Sequence, residues 1–488
     1  MSLVQSVDNV ALLPGYLAAG TAILVLLVDL LVARPTITTV VAALGAAGTA
    51  AGAALVGAAG TRRTFCVGAD CSWVWNGRAA LTGVVIALLT LGVLAISGPL
   101  LRAGRTPAGE YCFLLACAMT GGVVLGAAGD LITLIVALET LTLPLYVLVG
   151  LRRASLAGAE AAVTFFVVSV VATTVTLLGA ALLYAVTGSL HLDRLGATLA
   201  ARDDLTDLPL TTVAVALVVA GLAFKVAAVP FHAWAPATYD GAPLPVAAYL
   251  STASKLGGVV ALLAVVQRAL PGGVTGPVLA LLAVLTMTVG NLVALRQRRT
   301  VRLLAWSSVA QAGYILAPLG ALALAAGRTP DARAGAYAAA VAYAVFFVLL
   351  ELAAFAAVVA LRPADGDGGT LADLRGAARR HPWVGGAFAL ALIGLAGLPP
   401  GLAGLFAKVT VVRSLLAGHA GWLALVVALN AVLGLAYYLR VTASLYAVPS
   451  GVAAARPARA VAVALGVATV AAVVIGVAPQ LVLDVAAR

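Results

Sequence analysis

The chain has little lysine and little acid. Of its 29 basic side chains only three are lysine, Lys225, Lys255 and Lys408, and Asp and Glu together number 18 in 488 residues. Charged residues make up 10% of the composition, whereas soluble globular domains carry about 25%. That shortage, beside 63% hydrophobic residues, excludes a soluble globular domain and implies a polytopic membrane protein. The net charge of +11 comes from arginines scattered singly or in pairs between apolar runs. They form no basic stripe, so nucleic-acid binding is excluded and the bilayer is the expected surroundings. No basic stretch precedes the first apolar run, so no cleavable signal peptide is expected. Cysteine is also scarce, and no spacing of the four resembles a haem or iron–sulfur site. Cys112 and Cys117 lie within one apolar run and are expected to be packing residues. Cys66 and Cys71 flank a short polar loop, as a disulfide if that loop faces the oxidising side, or as two free thiols.

What is present is a series of apolar runs. A membrane passage needs roughly 20 apolar residues. Runs between polar or Gly/Pro breaks give about fourteen spans, at 10–32, 36–60, 79–101, 110–128, 130–150, 160–187, 208–236, 245–267, 275–295, 301–321, 335–361, 384–416, 421–446 and 459–484. The fold class is therefore all-α and polytopic. The seventh and twelfth spans contain proline in mid-run, Pro230 with Pro236 and Pro399 with Pro400, so both are expected to be broken helices. A lysine beside each break suggests two inverted five-helix repeats. The expected divisions are an N-terminal three-helix segment 1–109, a first repeat 110–267, a second repeat 275–446 and a C-terminal helix 447–488.

Arginine counts set an expected orientation. With the N-terminus outside, Arg34, Arg102, Arg105, Arg152, Arg153, Arg296, Arg298, Arg299, Arg302, Arg362, Arg375, Arg379, Arg380, Arg440, Arg456 and Arg459 fall inside, and the other ten fall outside. Both termini are thus expected on the outer side, together with the Cys66–Cys71 loop.

All three lysines lie in apolar runs, and Glu139 lies at the centre of another. A lone charge at that depth costs ~2.5–3.5 kcal/mol on insertion scales. Arginine stays protonated in proteins, whereas a desolvated lysine can release its proton. Glu139 and Lys225 are expected to form a switchable pair. Lys255 would take the proton at mid-membrane, and Lys408 would be the last station. His232 either links Lys225 to water or is merely hydrogen-bonded. Ser251, Thr252 and Ser254 either line the path or cap local backbone. Ser307, Ser308, Gln311, Tyr314 and Tyr343 are candidates for holding water between Lys255 and Lys408. Glu351 either pairs with an arginine or joins the path. Asp29, Asp130 and Glu160 are expected to be solvated or helix-terminal.

Four stretches carry a resemblance. DLITLIVALETLTLPLY, from Asp130 to Tyr146, resembles the glutamate helix of the antiporter-like subunits of respiratory complex I. FKVAAVPFHAWAPATYDGAPLPVAAYLSTASK, from Phe224 to Lys255, resembles that family's most diagnostic segment. RRTVRLLAWSSVAQAGY, from Arg298 to Tyr314, and GLPPGLAGLFAK, from Gly397 to Lys408, are similar to two more of its motifs. Length, span number and lysine at 408 make the chain most similar to the N-type subunits. The family often has an acid where Ala237 stands and histidine where Gln311 stands. Gln311 does not titrate, so its expected part is to orient water.

The resemblance implies a proton-translocating subunit of a bacterial NADH:quinone oxidoreductase, set in the cell membrane beside M-like and K-like subunits. NADH, FMN, iron–sulfur clusters and quinone would act in other subunits, and this chain would hold no cofactor. The absence of Gly-rich phosphate loops and metal-ligand clusters agrees with that. A subunit of a multisubunit sodium/proton antiporter or of an energy-converting hydrogenase is the alternative. A helical scaffold with relic charges is a third reading.

Overall fold

The structure is a computed structural model that describes residues 6–104, 106–151, 155–363, 366–448 and 457–487. Arg105, Arg152, Arg153 and Arg456, assigned above to the inner side, lie outside the described residues.

Among the described residues the regular structure is helical apart from one hairpin. Two helices, α1 (Asn9–Val32) and α2 (Pro35–Ala58), lead into the antiparallel strands β1 (Arg62–Val67) and β2 (Asp70–Trp75). Then come α3 (Gly77–Arg102), α4 (Ala108–Ala127), α5 (Leu131–Gly150) and α6 (Leu156–Thr187). Two short helices, α7 (Leu192–Ala201) and α8 (Asp203–Thr206), precede α9 (Pro209–Lys225) and α10 (Trp234–Gly241). Next, α11 (Leu244–Tyr249) runs through a π-helical turn, Leu250–Ser254, into α12 (Lys255–Arg268). The second half holds α13 (Gly272–Ala294), α14 (Thr300–Gly320), α15 (Pro330–Leu361), α16 (Ala377–Arg380), α17 (Pro382–Ala396), α18 (Leu402–Ala417), α19 (Gly421–Tyr446), α20 (Arg459–Val477) and α21 (Gln480–Ala487).

Local chemistry sets the helix ends. Asp8, Asn76, Asp130 and Ser155 accept hydrogen bonds from the first turns of α1, α3, α5 and α6, satisfying backbone donors that the helix cannot use. Asp130 is thus helix-terminal, as expected. Proline opens α2, α9, α15 and α17, where its missing N–H costs nothing. Gly188 closes α6 in the left-handed conformation.

Among the described residues, eleven helical segments are long and apolar enough to cross a membrane, the α11–α12 run counting as one. The fourteen expected spans differ from this at three places. The run 208–236 is helical only over α9 and then turns through 226–233 into α10. The run 384–416 is divided into α17 and α18 by a turn at 397–401. Each turn holds a cis X–Pro bond, Val229–Pro230 and Pro399–Pro400, and a residue of positive φ, Ala227 and Gly397. The third, α14, is continuous, but Arg302, Ser307, Ser308, Gln311 and Tyr314 keep it outside the apolar set.

The sequence reading missed the hairpin. Cys66 and Cys71 face each other across its strands and are joined by a disulfide, which decides between the two readings of that pair. Trp73 fixes the hairpin to α1 by donating from Nε1 to the Ala11 carbonyl at 2.9 Å. Cys112 is buried and Cys117 half-buried.

Polar contacts sort the connections into two sets. Around the hairpin, Arg62 pairs with Asp8, Arg194 with Asp70 and Arg268 with Asp193. In the other set, Arg299 pairs with Asp240 and Asp367, and Arg362 with Asp367 and Asp373. The first set holds loops assigned above to the outside and the second holds loops assigned to the inside. None of these ion pairs joins one set to the other. The Arg299–Asp240 pair also ties the start of α14 to the end of α10, just past the first break.

Candidate functional site

The Lys225 ammonium, at the last residue of α9, donates to Glu139 Oε1 at 2.7 Å, to Ser169 Oγ at 2.8 Å and to Thr142 Oγ1 at 3.3 Å. Thr173 donates to the same Glu139 oxygen at 2.6 Å, and Tyr146 donates to Ser169. Lys225 is 6% exposed, so this pair is largely out of water. A buried ion pair holds only when further hydrogen bonds satisfy both charges, and hydroxyls from α5 and α6 supply them. The sequence singled out the two charges but not Thr142, Tyr146, Ser169 and Thr173. His232 is not part of this group. Among the described residues no hydrogen bond joins it to Lys225, and its ring lies 5.0 Å from that of Trp306 on α14.

Lys255 is the first residue after the π-helical turn and is 2% exposed. Such turns shift the register of a helix and recur at functional sites. Its ammonium donates to the backbone carbonyl of Ser308 at 2.7 Å, so α14 meets the lysine through main chain and not through the hydroxyl. Ser251 and Thr252 bond the Ala248 carbonyl, which is the backbone role weighed for them. The backbone of α9 reaches α12 one turn past Lys255. A Cβ on Gly258 would stand 2.9 Å from the Lys225 carbonyl, so only glycine lets the two lysine-bearing helices come this close.

Glu351 on α15 is fully buried, and neither carboxylate oxygen has a hydrogen-bond partner. No arginine pairs with it among the described residues. The charge that it feels is Lys255, and Tyr239 and Tyr438 feel its own. Of the two readings left open above, the arginine pair is therefore corrected.

Lys408, on α18, bends back across the second break. It donates to the carbonyls of Leu395 at 3.3 Å and Ala396 at 2.5 Å, the unused acceptors at the C-terminus of α17. Its ammonium also lies 5.1 Å from the centre of the Tyr314 ring. Gly397 makes room for this fold-back, because a Cβ there would sit 2.6 Å from Lys408 Cδ.

Gln311 lies on α14 one turn past Ser308, the residue that Lys255 contacts, and shares an acceptor with Lys408. Its amide donates to the same Leu395 carbonyl at 3.1 Å and to the Tyr438 hydroxyl at 3.0 Å, and Tyr343 donates to its carbonyl oxygen at 2.6 Å. Tyr438 shares a hydrogen with Ser307 at 2.5 Å. Asn291 donates to Tyr314 and to Asn430, and accepts from Tyr437. The result is a buried polar line from Lys255 through α14 to Lys408. Asn291, Asn430, Tyr437 and Tyr438 were not singled out from sequence. Among the described residues no three His, Cys, Asp or Glu side chains are placed to hold a metal ion.

The sequence model of the family described as NADH:quinone oxidoreductase/Mrp antiporter, transmembrane, matches residues 128–434, which hold Glu139, Glu351 and all three lysines. A curated NADH-quinone oxidoreductase subunit N from Salinispora tropica is 77% identical, with both chains covered in full. A chain of respiratory complex I from Thermus thermophilus, solved with bound aureothin, superposes with a TM-score of 0.80 at 30% identity, covering 97% of this chain and 99% of that one. A chain of the Mrp complex from a Dietzia species gives a TM-score of 0.82 at 22% identity, covering 97% of this chain and 96% of that one, which shows a common fold. The chain therefore belongs to the NADH:quinone oxidoreductase/Mrp antiporter transmembrane family and, within it, to the NADH-quinone oxidoreductase N subunits.

Proposed function

We propose that this chain translocates protons across a bacterial cell membrane, as a membrane-arm subunit of NADH:quinone oxidoreductase. It does so through a relay of Glu139, Lys225, Lys255 and Lys408, with Glu351 as a further member beside Lys255. Redox chemistry, with its NADH, FMN, iron–sulfur clusters and quinone, belongs to other subunits. M-like and K-like subunits are its neighbours. The chain crosses the membrane about fourteen times, with both termini outside. Its divisions are 1–109, two inverted repeats at 110–267 and 275–446, and 447–488.

The observation that carries the reading is the 2.7 Å Lys225–Glu139 pair, set beside the polar line from Lys255 to Lys408. While Glu139 stays in contact, its charge keeps the proton on the Lys225 amine. When the two separate, the desolvated ammonium is no longer compensated and gives up its proton. Lys255, with Glu351 near it, is the next acceptor. Ser308, Gln311 and the tyrosine hydroxyls around them, Tyr314 included, orient the water that carries the proton to Lys408. His232, turned toward Trp306, stands at the break and outside the relay. A sodium/proton antiporter subunit shares this fold, but the 77% identical relative favours the quinone reductase.

The test is proton pumping by the reconstituted complex with Glu139→Gln, Lys225→Met, Lys255→Met and Glu351→Gln made one at a time. The expected result is a lowered proton-to-electron ratio in each assembled variant. Undiminished ratios would reject the relay.

A further inference from the structure

A cavity of about 580 Å³ opens among the hairpin, α3, α4, α12, α15 and α21. That lies within the roughly 300–1,000 Å³ of ordinary ligand sites. No group of the relay lines it.

Its two ends differ in chemistry. At the hairpin end stand Arg63, Arg78, Arg268 and Arg333, with Asp193 as the one acid. Four cations against one anion leave an excess of three positive charges. Only Arg268 has a carboxylate within ion-pair distance, Asp193 at 2.7 Å, among the described residues. Arg78 and Arg333 are held by neutral oxygens of Gln267, at 2.5 and 2.7 Å. Arg78 and Arg268 are close enough to repel one another. A cluster of guanidiniums of this kind suits a phosphate, which accepts several charge-assisted hydrogen bonds at once.

Below the arginines the walls are mainly apolar, with Val85, Val260, Leu263, Val341 and Val345 among them. The depth follows from helix geometry. Arg268 and Leu256 on α12 are twelve residues apart, as are Arg333 and Val345 on α15, which at 1.5 Å per residue is ~18 Å. Half of the hydrocarbon core of a bilayer is ~15 Å. Arg78, Arg268 and Arg333 occupy the first or last turns of their helices and Arg63 lies on β1 beside them, which is headgroup level, and the shaft is one leaflet deep.

We propose that this cavity binds one anionic phospholipid, its phosphate on the four arginines and an acyl chain down the shaft. A free phosphate would use the arginines and leave the shaft empty, and a zwitterionic lipid would fill the shaft without relieving the excess charge. The shaft ends at Leu256, next to Lys255, so the bound chain also keeps water on the hairpin side away from that lysine. The proposal rests on the chain being set in a membrane and stands whether or not the relay operates.

The test is retention of lipid by the whole complex, purified in detergent and read by native mass spectrometry with added phosphatidylglycerol or phosphatidylcholine. The unaltered complex is expected to keep one phosphatidylglycerol more than the variant Arg78→Gln/Arg333→Gln, whose retention at this site falls at least tenfold. Val260→Trp, which fills the shaft and leaves the arginines, is expected to lose the same lipid, and inorganic phosphate is expected not to displace it. Where a variant fails to assemble, the lipid preference of the unaltered complex decides. Equal retention of both lipids, displacement by phosphate alone, or no difference in the assembled variants would overturn the proposal. So would cross-linking of Val260→Cys to a neighbouring polypeptide in place of lipid.

Discussion

Removing the charge of Glu139 strands the Lys225 ammonium. In Glu139→Gln, the two hydroxyls of Ser169 and Thr142 remain as its partners, and the side chain is still only 5% exposed. Loss of one partner of a buried pair costs about 3–5 kcal/mol, a large share of the ~5–15 kcal/mol that holds a typical domain folded. Lys225→Met removes the other partner, and Glu139, 19% exposed and bonded to Thr173, tolerates this better. The double variant leaves no uncompensated charge. It is expected to recover at least ~1.4 kcal/mol relative to the sum of the two single changes, a tenfold effect on the equilibrium. The assay is the fraction of the chain recovered in assembled complex together with its thermal midpoint, for all four members of the cycle. Additive effects would mean that the two groups do not interact, and both the pair and the gate built on it would fall. Recovered stability with no recovered pumping is the expected combination, because the neutral pair restores packing and not proton exchange.

Gly397→Ala places a Cβ against Lys408 at a positive φ, so it is expected to cost at least about 1 kcal/mol and to lower pumping, the outcome also expected of Lys408→Ala; normal turnover in G397A would refute the fold-back. Gly258→Val is expected to push α12 from α9 and reduce the recovered complex severalfold, measured by quantitative immunoblot. The Asp193 carboxyl is held below its ordinary value of 3.8, chiefly by the hydrogen bond from Arg268. A depressed acid stabilises above its unfolded pKa and loses that contribution as pH falls through the folded one. Asp193→Asn should therefore lower stability slightly at pH 7, by under ~1 kcal/mol because the side chain is 71% exposed, read as the thermal midpoint, and the difference from the parent should shrink as pH falls below 3.8. Cys66 and Cys71 are expected to react with a membrane-impermeant maleimide in whole cells only after reduction; labelling confined to inside-out vesicles would reverse the proposed orientation.

Most spans were legible because an apolar run of twenty residues has few other uses. The three departures have two causes. α14 is buried along almost its whole length, so its polar residues need not satisfy a lipid-facing composition. Pro230, Pro399 and Pro400 are exposed and stand in the two turns that interrupt otherwise apolar runs, which a count of apolar residues does not register. The hairpin was missed because Arg62–Val67 and Asp70–Trp75 are six residues each and carry charge, which made them look like loop. At the site, Glu139, Lys225, Lys255 and Lys408 stood out because charge is costly at that depth. Thr142, Ser169, Asn291 and Asn430 did not. A small polar side chain in an apolar helix usually bonds its own backbone, as Thr90 and Thr176 do here, and no local pattern separates the two uses. Glu351 was visible as a charge, but its neighbour Lys255 lies 96 residues away in sequence.

The two breaks are not equivalent in how they hold their lysines. Lys225 belongs to the helix that ends at the first break, so a hinge at 226–233 would carry it as a passenger, still docked on Glu139. Lys408 reaches back over the second break to grip the end of the preceding helix. Any opening at 397–401 must first pry that amine off two carbonyls, which makes the first lysine cargo and the second a latch.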